Sequence, residues 1–153
     1  MTAARRATPE DAVELVRLRK VMQDSCHGPN PDVSWQPAAA ATLRARLAEP
    51  DGDLTAFVVD RPGGLAACAV GIVEHRLGGP GNPHGVSGYV FSVATDPDMR
   101  RRGHSRACME ALLAWFEERG VRKIDLRASS EGEPLYTSLG FARTPDPAMR
   151  LTL

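Results

Sequence analysis

From His104 to Arg119 the apolar residues Cys108, Ala111, Leu112, Trp115 and Phe116 fall at i, i+3, i+4, i+7 and i+8, which predicts a helix with one buried face, stopped by Gly120. Three strand-like runs precede it: LTAFVVD from Leu54, LAACAVGIVEHRL from Leu65 and VSGYVFSVAT from Val86. The RPGG between the first two is a hairpin signal and predicts an antiparallel pair, whereas GGPGNPHG before the third is read as a mobile connection. Near the start, Ala4 to Ala7 makes a short strand. Thr8 as N-cap, Pro9 at the first helical position and acidic Glu10 and Asp11 then open a helix running to about Met22. A second helix is predicted over Pro37 to Leu47. The strand KIDLRA, the short helix EPLYTSL stopped by Gly140, and an alternating last strand, AMRLTL, complete the order. Strands mixed with helices in this sequence give one α/β domain over residues 1–153, with no repeat or low-complexity linker inside it.

Charge narrows the function. Lys plus Arg (19) equals Asp plus Glu (19), so the chain lacks the positive excess of a protein that binds long nucleic acid. No apolar run is long enough for a membrane span and MTAARRATPED is not a signal peptide, so the expectation is a cytoplasmic protein. Cys26, Cys68 and Cys108 are widely spaced and form no CxxC pair, which argues against a metal site or a disulfide framework. Cys68 and Cys108 are expected in the core. Cys26 beside His27 is the weaker alternative of a reactive dyad.

One local charge run stands out, in VATDPDMRRRGHSRACMEALL. Here a strand, a turn with Gly103 and a helix N-terminus follow one another, the order that makes an anion site: the first amides of a helix lack internal partners and carry the positive end of its dipole. No lysine follows Gly103, so this is not a P-loop.

The same stretch resembles the acyl-CoA-binding motif of the GNAT superfamily of N-acetyltransferases, [Q/R]-x-x-G-x-[G/A], with Arg100, Gly103 and Ser105 at the pattern positions and Val93 to Pro97 as the preceding strand end. Serine at the third position departs from the pattern. LYTSLGF, Leu135 to Phe141, is similar to the family's L-Y-x-x-x-G-F segment, and RRATPEDAVELVRLR to its first strand and helix. Many members carry Asn seven residues before the tyrosine, where this chain has Ser129. The resemblance implies a mixed, mostly antiparallel sheet, splayed at its central strands and flanked by about four helices.

It also implies acetyl-CoA as cosubstrate. Backbone groups of Val93, Ala94 and Thr95 would pair with its pantetheine arm, and an amide near Val93 would polarise the thioester carbonyl. Amides from Arg101 through Arg102, Gly103, His104 and Ser105 to Arg106 would hold the pyrophosphate. Tyr136 is the candidate proton donor to the departing thiolate. A base must take a proton from the amine. Glu74, closing the longest apolar strand beside buried surface, is the first candidate; His75 and His84 are others, with Asp24 and His27 of similar standing. Tyr89 and Phe91 alternate on the central strand toward the acceptor. The expected partner is a small-molecule amine, without nucleic acid, membrane or metal, and with a homodimer allowed. The alternatives are acetylation of a protein N-terminus or lysine, a non-catalytic acyl-CoA sensor, and an RNA-binding domain.

Overall fold

The β-hairpin Leu54–Arg61 (β2) and Gly64–His75 (β3) turns at Gly63, whose φ of 80° only glycine adopts without strain. β3 is buried along almost its whole length, as the centre of a sheet must be. The computed structural model describes residues 3–153, and in it the sheet runs β1-β2-β3-β4-β5, with β1 Arg5–Arg6, β4 Val86–Thr95 and β5 Ile124–Leu126. All neighbours are antiparallel except β4 and β5, which are parallel and joined through a helix.

Helices cover both faces. On one, Cys108, Met109, Leu112, Trp115 and Phe116 of α3 (His104–Glu118) pack on Ala67, Ala69, Val73 and Val90. Glycine is needed on this face: a Cβ on Gly71 would sit 2.8 Å from the Phe116 ring and one on Gly88 2.7 Å. On the other face, Leu15 and Leu18 of α1 (Ala12–His27) pack on Val58, Cys68 and Val70, with Leu43 and Leu47 of α2 (Gln36–Leu47) alongside.

Three expectations need correction. α1 continues a turn past Met22 to His27, because the Lys20–Asp24 ion pair (2.8 Å) supports its polar last turn and Gly28, at φ 85°, is the first residue to end it. The GGPGNPHG segment is hydrogen-bonded rather than loose: Gly79 and Asn82 exchange backbone bonds at 2.9 and 3.0 Å, and Arg76 donates to Gly85 at 2.7 Å. AMRLTL does not form a strand. Its alternation is real, but no sheet neighbour pairs with it among the described residues, and Met149, Leu151 and Leu153 stand exposed.

β4 carries the distortion that matters for function. Cys68 pairs with Ala94 and Val70 with Phe91, so Ala69 alone faces both Ser92 and Val93. Ser92 is the extra residue of a β-bulge, with φ 53°. The buried Cys68 thiol donates to its carbonyl at 3.1 Å, and Arg19 of α1 donates to its hydroxyl. Pairing with β5 stops just before this point, at Val90 and Leu126. The two parallel strands part there, as the resemblance implied.

Candidate active site

A cleft of about 460 Å³ opens where β4 and β5 part. One wall is the outer edge of Val93, Ala94 and Thr95, which has no β5 partner. The floor is the turn into α3. Arg101 and Gly103 both have positive φ, 63° and 80°, which makes a tight turn. The first bond of α3 runs from the Ala107 N–H to the Gly103 carbonyl, so the amides before it, through Arg106, lack helical partners.

Side chains refine the picture. Arg100, Arg101 and Arg106 line the cleft with Gly103, His104 and Ser105; Arg102 does not, and its charge acts on Asp98. The Ser105 hydroxyl is hydrogen-bonded to that of Thr95, tying the strand end to the helix start. Both ring nitrogens of His104 are buried without a hydrogen-bond partner among the described residues.

Facing them is α4 (Glu133–Ser138), which carries Tyr136. The family-like L-Y-x-x-x-G-F spacing has a local cause. Gly140 at φ 101° ends the helix, and the Phe141 N–H returns to the Tyr136 carbonyl at 3.0 Å, which sets the two rings edge to face at 6.0 Å. Burial pushes the Tyr136 phenol above its ordinary value, with a smaller contribution from Cys26, so it holds its proton at neutral pH. Ser129 also lines the cleft, and its hydroxyl accepts from the Gly132 N–H at 3.1 Å to shape the turn into α4.

The cleft continues into a second chamber of about 720 Å³ on the α1 side, sharing Met22, Cys26, Ser129 and Tyr136 with the first. Tyr89, Phe91 and His27 line it. So does Glu131, which no spacing in the sequence singled out; a carboxylate five residues before the helix tyrosine was the available signal.

Glu74 is elsewhere. It pairs across from Ser87, about 20 Å along β4 from Val93 at ~3.3 Å per residue, and accepts a bond from Arg76 at 3.0 Å. The structure therefore does not bring Glu74 to Tyr136. His75, 3.4 Å from Asp53, lies at the same far end. Asp24 is held by Lys20. Cys68 and Cys108 are buried, the latter thiol pushed up to about 12, and neither is a nucleophile; Cys26 is exposed at the cleft. Among the described residues no group of His, Cys, Asp and Glu is placed to hold a metal, and no helix is long and apolar enough to cross a membrane.

The family model described as acetyltransferase (GNAT) family matches residues 17–141. A ribosomal protein bS18-alanine N-acetyltransferase of Escherichia coli strain K12 is 44% identical over 55 residues, 34% of this chain and 37% of that protein. The match thus spans little more than a third of the length of this curated relative. Two solved structures are similar over nearly the whole chain. A predicted acetyltransferase of Clostridium acetobutylicum, solved with acetyl-CoA, is 25% identical with a TM-score of 0.85, over 99% of this chain and 96% of that one. A GCN5-related N-acetyltransferase of Ralstonia eutropha JMP134 is 26% identical with a TM-score of 0.83, over 99% of both chains.

Proposed function

Because the chain belongs to the GNAT family of acetyltransferases, we propose that it moves the acetyl group of acetyl-CoA to the primary amine of a small molecule, both reactants being bound at once. The observation that carries this reading is the parting of β4 and β5 beside Tyr136, which leaves an open strand edge and unpartnered helix amides in one cleft.

The residues fit the cosubstrate. Amides from Arg101 to Arg106 would hold its pyrophosphate, with Arg100 and Arg101 adding charge. The edge of Val93, Ala94 and Thr95 would hold the pantetheine arm as an added strand, and an amide near Val93 would polarise the carbonyl. When bound, acetyl-CoA supplies the acetyl group: the acceptor's C–N bond forms, the C–S bond breaks, and an amide and a free thiol result.

The chain's own groups handle two protons. Tyr136 holds one at its phenolic oxygen and delivers it to the departing sulfur. Glu131, in the chamber beside it, takes the proton an ammonium must lose before its nitrogen can attack. This role passes to Glu131 because Glu74 does not reach the cleft.

Thiol release from acetyl-CoA with a panel of small amines tests the reading; binding of acetyl-CoA without turnover of any amine would favour a sensor instead. The similarity to a protein-alanine N-acetyltransferase supports a second reading, a protein N-terminus as acceptor, which short peptides in the same panel would reveal.

A further inference from the structure

The chamber on the α1 side is lined by Arg19, Arg127 and Arg150, three guanidiniums from three separate parts of the chain, with His27. Glu131 is its one carboxylate among the described residues. Arg127 and Arg150 have no hydrogen bond or ion pair among the described residues. Arg19 is held against the Phe91 ring at 6.0 Å and bonded to Ser92, with no acidic partner. Several other arginines in this molecule have acidic partners: Arg5 with Asp11 and Asp60, Arg17 with Glu14 and Asp96, Arg61 with Asp96 and Asp98, and Arg143 with Glu133. Of the acids bordering the outer mouth, Asp24 is paired with Lys20, while Asp32 is hydrogen-bonded to the Ser34 hydroxyl and keeps its charge. Three guanidiniums against one carboxylate leave this chamber, beside Tyr136, with a local positive excess.

We infer that the acceptor carries, beside its amine, an anionic group, a carboxylate or a phosphate, and that Arg19, Arg127 and Arg150 hold it while Glu131 receives the ammonium. This rests on the reading of the cleft as the acetyl-transfer site. Guanidinium forks match both anions, and one acid opposite several bases orients a zwitterion with its amine toward Tyr136. The anion's pull is also partly protected from solvent, since Arg19 is half-buried between α1 and β4.

Paired acceptors test it on the whole chain with acetyl-CoA: common α-amino acids against their carboxamides, and phosphoethanolamine against ethanolamine, followed by thiol release. The anionic member of at least one pair should have a kcat/KM higher by about ten-fold or more, and the pair that responds tells carboxylate from phosphate. A carboxamide's amine loses its proton more easily, so a preference for the acid comes from the site. Arg127→Gln combined with Arg150→Gln should erase the preference by raising KM for the anionic member, with the neutral member within about two-fold of its original rate. Equal or better use of the neutral members in both pairs overturns the inference. So does faster use of a C-terminally amidated peptide beginning with alanine than of any anionic acceptor. Calorimetric titration of the same compounds in the presence of CoA needs no turnover. Tighter binding of the anionic members, lost in the double variant, would uphold the inference even if acetyl transfer failed, and equal binding of both members would sink it.

Discussion

The guanidinium of Arg17 on α1 lies 2.7 Å from the carboxylate of Asp96, the first residue after β4 on the way to α3. Arg61 reaches the same carboxylate at 3.0 Å, and Arg17 also bonds Glu14. These contacts, that with Arg17 foremost, hold Asp96 below its ordinary value, and Arg17 does the same for Glu14. Both acids are more easily ionised folded than unfolded, so their pairing stabilises fully above the unfolded carboxylate range and is lost as pH falls through the lowered folded values. Stability against urea should therefore fall below about pH 4. Asp96→Asn should cost about 2 kcal/mol at pH 7 and flatten that dependence; an unchanged pH profile in the variant would refute the assignment.

Gly103→Val tests the anion turn. A Cβ there meets nothing within 4 Å, so the variant has room, but φ 80° strains any L residue by about 1–2 kcal/mol and most of all a β-branched one. The turn relaxes and its amides turn away. Calorimetry should show acetyl-CoA binding weakened at least about ten-fold in a protein that still folds; unchanged affinity would remove the turn from the site.

Tyr136→Phe should lower kcat by roughly 10- to 1,000-fold with acetyl-CoA affinity nearly intact, the effect of losing one proton donor. The phenol is held above its ordinary value of 10.0, so in the wild type the alkaline loss of kcat from this group should lie above that pH. A variant with wild-type kcat would assign the ring a packing role against Phe141.

Glu131→Gln and Glu74→Gln form a decisive pair. The first should reduce kcat/KM at neutral pH by about ten-fold or more and recover as pH rises and the amine deprotonates unaided; the second should match wild type. The reverse pattern in a pH-rate profile would return the base to the far end of β3.

Gly71→Ala should destabilise by about 1–3 kcal/mol without touching the cleft, because its Cβ meets Phe116 at 2.8 Å and Leu112 at 2.9 Å in a packed interior. Thermal unfolding measures it. A neutral result would mean that α3 slides on the sheet more freely than its packing indicates.

The elements were legible where local periodicity and local punctuation decide them. The buried face of α3 follows from Cys108 to Phe116, and the stop after Tyr136 follows from Gly140. What depends on two strands at once was not. The extra residue at Ser92 exists only in register with Ala69, and nothing in VSGYVFSVAT marks it. Glu74 had the right chemistry on an apolar strand, but its position along the sheet is fixed by pairing with Ser87. Glu131 sits in a polar loop without periodicity, and its place beside Tyr136 comes from the turn that Ser129 shapes. The alternation of AMRLTL met every local criterion for a strand and lacked only a neighbour.

The bulge in β4 leaves the strand's two faces correctly patterned on either side of it. Val90 faces α3 and Phe91 faces α1 before it; Val93 faces α3 and Ala94 faces α1 after it, while the Ser92 side chain joins Phe91 on the α1 side. Removing Ser92 alone would restore strict alternation, Val90 in, Phe91 out, Val93 in, Ala94 out, with both cores intact. The strand would then run straight, and β5 could continue alongside it. In genetic terms, sheet and groove should be separable by one in-frame codon deletion: a gene three nucleotides shorter is expected to encode a straightened strand that binds acetyl-CoA more weakly.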